Sequence, residues 1–216
     1  MILKIYNFAK NTISVLKRKQ KYIILMTTFF ISGCEPNQDM ALDYFDTLHT
    51  SVENTLDFDE QIQEKIFFFT MDEEFSDVPN ENKDKPRNKS TNKQSLSKEE
   101  YLKELAVFKV FSKSVSDQLS VEIDKLKSAE VFNKENDLKN AALHLVQTMK
   151  DCIHNELTTI LILLEIDYEN YTDEEDKKLN ILISNFNNKM DNALQIYYSE
   201  LGMFSDKYNL DLEFPE

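Results

Sequence analysis

Apolar residues recur at steps of three and four along four stretches of this chain, each about 30 residues long, and few architectures can accommodate that repetition. The first stretch, 38–71, carries Ala41, Phe45, Leu48, Val52, Leu56, Ile62, Ile66 and Phe69. The second, 97–131, carries Leu102, Leu105, Phe108, Val115, Leu119, Ile123 and Leu126. The third, 135–166, carries Leu138, Ala142, Leu145, Met149, Ile153, Leu157, Ile160 and Leu164. The fourth, 172–209, carries Leu179, Leu182, Phe186, Met190, Leu194, Tyr197, Leu201 and Phe204. Two of the starts have capping-box spelling, Ser97-Lys98-Glu99-Glu100 and Thr172-Asp173-Glu174-Glu175, in which each end satisfies a backbone donor of the other. Helices of this length are about 45 Å long and cannot bury an apolar stripe alone. Short connections near 132–134 and 167–171 favour antiparallel neighbours. The expectation is an all-α fold, an antiparallel up-down-up-down four-helix bundle.

Glycine usage excludes the main alternatives. Beyond residue 34 the chain has one glycine, Gly202, and its four prolines (Pro36, Pro79, Pro86, Pro215) avoid the apolar-periodic segments. Tight hairpins and phosphate-binding loops need glycine at several fixed positions, so neither can be built here. The connection 72–94 lacks periodicity, contains Pro79 and Pro86, and reads as a mobile, disordered loop. Its first half is acidic (Asp72, Glu73, Glu74, Asp77, Glu81) and its second half basic (Lys85, Arg87, Lys89, Lys93).

The N-terminus has a different logic. Residues 1–33 hold six basic residues (Lys4, Lys10, Lys17, Arg18, Lys19, Lys21) and no acidic one. A basic cluster precedes an apolar run from Tyr22 to Ile31, then come Ser32, Gly33 and Cys34. That order is a secretory signal, and a run of about ten residues is too short for a spanning helix, which needs roughly 20. Ile31-Ser32-Gly33-Cys34 resembles the lipobox of bacterial lipoproteins. The resemblance implies cleavage before Cys34, lipid (diacylglycerol and palmitate-type acyl chains) on that residue, and stable membrane anchoring. Residues 1–33 are then the signal peptide and 34–216 the ectodomain. Glu35 rather than Asp after the cysteine implies the outer membrane of a diderm cell envelope.

Cleavage also changes the charge. The whole chain carries −14, and losing six basic residues takes the ectodomain to about −20. Such a surface repels phosphate backbones, which argues against nucleic-acid partners and leaves a cationic protein as the partner class. With Cys34 at the start of the first helix, the 132–134 turn and the C-terminus fall at the membrane end. The far tip then gathers Asp72, Glu73 and Glu74 with Glu165, Asp167, Glu169, Asp173, Glu174, Glu175 and Asp176. The outward acids Asp72, Glu73, Glu74, Asp173, Glu174 and Glu175 are the expected partner-binding group, although capping and the helix dipole alone would place many of them there.

The third and fourth helices carry a further likeness. The run Phe132 to Ala142 continuing through Met149-Lys150, and the run Thr172 to Asn180 with the later Phe204 to Leu210, are similar to a family of helical surface lipoproteins from Leptospira and Bacteroidota without an established activity. The likeness covers the second half of the chain and, loosely, the first helix. It implies a surface or periplasmic bundle and carries over no catalytic residue.

Enzymatic chemistry is sparsely spelled. Helical bundles hold di-metal sites with Glu-x-x-His on two helices and a carboxylate on each of the others. The nearest approach here is Asp46-x-x-His49 and Asp151-x-x-His154, with Glu122 and Asp191 on the remaining helices. Asp is shorter than Glu, neither histidine is central to its apolar stripe, and an acidic chain produces such pairs by chance, so no metal or other cofactor is expected. Cys152 and His154 diverge by about 200° on a helix, which leaves Cys152 as a buried small apolar residue. The acidic run 167–176 lacks the glycine and alternating oxygens of a calcium loop. Tyr197-Tyr198 and Phe67-Phe68-Phe69 exceed what one stripe can bury, so some of these rings are expected at the surface. The expectation is therefore a non-enzymatic, membrane-anchored scaffold or partner-binding lipoprotein. The alternatives are an immunity-type lipoprotein that binds a basic toxin and a metal-dependent carboxylate-bundle enzyme.

Overall fold

Both capping boxes form, and they start the helices that the spelling assigns to them. Ser97 Oγ accepts the Glu100 backbone N–H at 3.2 Å while Glu100 Oε2 accepts the Ser97 N–H at 2.9 Å. Thr172 Oγ1 accepts from the Glu174 N–H at 3.2 Å, and Glu175 Oε2 takes the Thr172 N–H at 3.0 Å and its hydroxyl. The computed structural model describes residues 36–74, 97–134, 136–167 and 170–212. Within these, α1 is Pro36–Glu74 and α2 is Lys98–Ser128. Helix α3 runs as Asn136–Cys152, a π-helical turn Ile153–Leu157, and Thr158–Leu163; α4 is Asp173–Tyr208. Among the described residues there is no strand, and no helix is long and apolar enough to cross a membrane. Helix ends differ from the sequence expectation only by frayed terminal residues. The expected loop 72–94 falls almost wholly outside the described residues.

The four helices pack as expected of an up-down-up-down bundle, but not as a square. Helix α3 contacts α1, α2 and α4, so the parallel pair α1 and α3 forms the short diagonal, with α2 and α4 flanking it. The seam of α3 is correspondingly apolar: Leu138, Ala142, Leu145, Met149, Leu157 and Ile160 are all almost fully buried. Facing them are Leu48, Val52 and Ile62 from α1, Phe108 and Leu119 from α2, and Phe186 and Tyr197 from α4.

The π turn resolves a conflict that is already present in the sequence. From Leu145 through Met149 and Ile153 to Leu157 the apolar positions advance by three successive steps of four. Each such step rotates about 40° past a full turn, so an ideal helix would carry the stripe about 120° away from the core. Widening one turn takes the rotation back. The Thr158 N–H bonds to the Ile153 carbonyl, five residues back, and the Thr158 hydroxyl donates to the same oxygen at 3.1 Å.

Aromatic clusters close both ends. At the base, where α1 begins, Tyr44 packs on Phe204 and Phe132, and Tyr208 on Phe132 and Phe204. Gln38 Nε2 donates to the Asn209 carbonyl at 2.8 Å, which ties the start of α1 to the end of α4. Asn133 and Asn209 take left-handed backbone at the two base turns, a conformation asparagine tolerates well. Lys139 Nζ donates to the Lys127 and Ala129 carbonyls at 2.9 and 2.6 Å, satisfying acceptors that the end of α2 leaves open. At the far end Phe69 stacks on Phe108 and meets Tyr101 edge-on, and the Tyr101 hydroxyl donates to the Leu164 carbonyl at 3.0 Å.

Gly202 lies within α4, and a Cβ built there would meet nothing within 4 Å. Glycine inside a helix loses more backbone freedom on folding than alanine does. Gly202→Ala should therefore raise the urea unfolding midpoint, a gain of about 0.5–1 kcal/mol. An unchanged or lowered midpoint would show that something other than backbone entropy governs this position.

Candidate functional site

The metal-like quartet is not assembled. Asp46, Asp151 and His154 are exposed on their helices, and only His49 turns inward. Asp191 is also exposed, and Glu122 is buried in a different set of partners. Among the described residues no group of three or more His, Cys, Asp or Glu is arranged to hold a metal ion. The reason is geometric: an i, i+3 pair shares a broad face, yet helix rotation brought only one member of either pair into the core.

His49 lies off the centre of its stripe, yet it turns inward. Its ring stacks on Phe45, and Nδ1 lies 2.9 Å from the Tyr197 hydroxyl of α4. Burial holds its pKa below the ordinary 6.5, against the pull of Glu53 and Asp46, which favours the neutral ring; the imidazole tautomer sets which partner donates in the bond to Tyr197. Burial likewise pushes the Tyr197 hydroxyl well above its ordinary range, keeping it protonated.

Two buried carboxylates complete the polar interior. Glu122 of α2 accepts from Ser51 Oγ at 2.8 Å, Asn54 Nδ2 at 3.2 Å and Lys125 Nζ at 2.9 Å. Burial alone would raise its pKa, but these donors together outweigh that and hold it below the usual carboxylate value. Glu156 sits in the π turn of α3, 7% exposed, with Oε1 2.6 Å from Lys189 Nζ of α4. Its Oε2 is buried without a hydrogen-bond partner. One turn earlier Cys152 is fully buried, and burial, reinforced by the Glu156 charge, pushes its thiol up to about 12. Cys152 is therefore the inert core residue expected of it, and His154 points away from it to solvent.

Sequence reasoning missed Glu156 because it lies between Ile153 and Leu157, where a regular α-helix would set it beside rather than in the seam. The signal was the same run of four-residue steps that requires the π turn.

The far tip is less bare than its composition suggests. Lys98 pairs with Asp167 at 2.6 Å and Lys109 with Glu165, while Glu175 is engaged by Thr172. Asp173 and Glu174 remain exposed in the first turn of α4. The side chains of Asp72, Glu73 and Glu74 lie outside the described residues, as do Glu169 and Cys34. The aromatic runs divide as expected: Phe69 and Tyr197 are buried, Phe68 is exposed, and Phe67 and Tyr198 lie between. An open groove of about 240 Å³ lies between α3 and α4, lined by Asp137, Asn140, Ala141, His144, Ile196 and Glu200.

No family model, curated protein or solved structure matches this chain. The interior polar groups must therefore be interpreted from their own geometry. Each links two or more helices across the core: His49 to Tyr197, Glu122 to Ser51 and Asn54, Glu156 to Lys189. Sliding one helix along its neighbour would leave these groups unsatisfied in the core.

Two measurements follow. The folded pKa of His49 lies below its ordinary 6.5, so the unfolded chain takes up that proton first as pH falls. The stabilising contribution is intact above about 6.5 and is lost progressively below it. The urea midpoint should drop between about pH 7 and pH 5.5, and His49→Gln should flatten that part of the profile. An equal slope in both proteins would show that the ring is solvated. Secondly, Lys189→Met leaves the Glu156 charge buried and should cost about 1–3 kcal/mol, a range reduced because Lys189 is half exposed. The double change with Glu156→Met should restore most of that loss. A coupling energy near zero in the four-protein unfolding cycle would show that the pair does not lock α3 to α4.

Proposed function

We propose that this protein is a cell-envelope lipoprotein whose helical bundle is a non-enzymatic scaffold or partner-binding ectodomain, held to the membrane through lipid on Cys34. The observation that carries the proposal is the order of basic cluster, short apolar run and Ile31-Ser32-Gly33-Cys34, followed within two residues by the start of α1 at Pro36. A tether that short keeps the base of the bundle near the lipid. The base holds the 3₁₀ turn Phe132–Lys134 and the end of α4, through the Tyr44–Phe132 and Gln38–Asn209 contacts. Asp173 and Glu174, with the last turn of α1 and the first turn of α2, then lie on the end directed away from the membrane. A scaffold role is supported by the use of the buried polar groups, which bind one another across helices.

The decisive experiment is metabolic labelling with a clickable fatty acid in a bacterial host, followed by detergent phase separation. The native chain should incorporate label and partition with the detergent phase. Cys34→Ser should incorporate no label and should accumulate as the uncleaved precursor. Label retained by Cys34→Ser, or no label on the native chain, would overturn the anchor and with it the orientation.

A further inference from the structure

Very little chain separates Cys34 from the base of the bundle. Cys34 precedes the first residue of α1, Pro36, by two positions, and two residues span at most about 7 Å when fully extended. The headgroup layer on one side of a bilayer is about 5–7 Å thick. With lipid on Cys34 at the edge of the hydrocarbon, the tether reaches no further than about the outer edge of that layer. The base then stands in the headgroups or directly against them, and its exposed side chains must suit that place.

Those side chains are apolar on several sides. Met40 and Leu42 of α1 are 57 and 39% exposed, Val131 in the turn between α2 and α3 is 38% exposed, and Met203 of α4 is 56% exposed. At the helical rise, Met40 and Leu42 lie about 6 and 9 Å from Pro36, and Met203 about 8 Å from the end of α4 at Tyr208. Val131 adjoins the 3₁₀ turn of the base itself. Apolar groups seated at a membrane interface enter it by about 5–10 Å, which matches this depth. Met40 and Leu42 diverge by about 200°, onto opposite flanks of α1. With Val131 and Met203 they form a collar, and a plane pressed on the end reaches a collar where a partner docked on one flank does not. The turn is braced from behind: Phe132 packs against Tyr44 and Tyr208, and Lys139 holds the Lys127 and Ala129 carbonyls. Exposed charge at the base has both signs, with Lys127, Lys134 and Lys207 beside Glu130, Asp206 and Asp211, so apolar area rather than net charge would seat it. Apolar side chains are exposed elsewhere too, Val110 on α2 and Ile162 at the tip among them, but the tether brings only the base to lipid.

We propose that the base of the bundle is a lipid-contacting surface, with Met40, Leu42, Val131 and Met203 seated in the headgroup layer of the bilayer that holds the lipid on Cys34. This contact presupposes the anchor proposed above and adds a second, non-covalent attachment to it. Lipid alone would leave the domain free to tumble on its tether. The collar sets the long axis of the bundle upright and carries the tip about 45 Å from the surface. Because both signs of charge are present at the base, the seating needs no anionic lipid and does not weaken with salt.

The chain has no tryptophan, so a single introduced one reports its own surroundings. The test uses the lipidated protein from a bacterial host, reconstituted in phosphatidylcholine vesicles with and without phospholipid brominated near the headgroup end of its acyl chains. Flotation with the vesicles is read first. Val131→Trp, at the base, should lose most of its emission to brominated lipid, in low and high salt alike. Ile162→Trp, at the tip, should keep its emission. Adding Met40→Ser, Leu42→Ser and Met203→Ser to the Val131→Trp protein should bring its quenching down toward the tip value with helicity unchanged. That step separates seating by the collar from the affinity of tryptophan itself. A chain that does not float overturns the anchor and the seating with it. A chain that floats while Val131→Trp is quenched no more than Ile162→Trp, or quenching that the three serines leave intact, overturns the seating and leaves the anchor standing.

Discussion

The structure depends on α3 being covered from three sides. Because α1 lies along its diagonal rather than at a corner, α3 must present apolar surface around most of its circumference, and it does so with both Cys152–Ile153 and Glu156–Leu157 turned inward. A strictly regular helix could not keep Leu145, Met149, Ile153 and Leu157 on one side. The π turn is the local adjustment that lets one helix serve three neighbours, and it brings Glu156 with it into the interior. Lys189 of α4 answers that carboxylate, so the register of α4 against α3 follows from a distortion within α3.

The other interior polar contacts act in the same way at other levels. His49 with Tyr197 ties α1 to α4, and Glu122 with Ser51 and Asn54 ties α1 to α2. Apolar stripes built from Leu, Ile and Val fill space well but discriminate poorly between positions a turn apart. Buried hydrogen-bonding groups lose much more when displaced, because each is then left unsatisfied. Aromatic clusters at base and tip close the ends. Apart from Glu122 and Glu156, most charge is on the outer surfaces, where at the tip some of it is paired, as in Lys98 with Asp167.

The candidate sites divide by how local their signals are. The capping residues Ser97, Glu100, Thr172 and Glu175 were legible because a capping box is complete within four residues. The burial of Cys152 and of Phe69 was legible from stripe position. The burial of His49 was not legible because an apolar stripe has soft edges, and a histidine at its margin enters the core only if a partner such as Tyr197 waits on another helix. Glu122 was singled out only as a carboxylate for the di-metal pattern, whereas its three donors come from two helices. The Asp46 and Asp151 pairs show the converse error: correct spacing on one helix says nothing about which way that helix turns its face.

By itself, the sequence determined the all-α class, the number and approximate bounds of the helices, their alternating directions and the acidic balance of the chain. All of these follow from periodicity, capping, glycine scarcity and composition, which act over a few residues or over the chain as a whole. Only the tertiary structure decided that α1 and α3 form the diagonal, that α3 takes a π turn, and that Glu156, Glu122 and His49 are interior. Each of these depends on the rotation of one helix about its own axis against another. That rotation is set by side chains packing from different helices at once, and no stretch of sequence contains both partners.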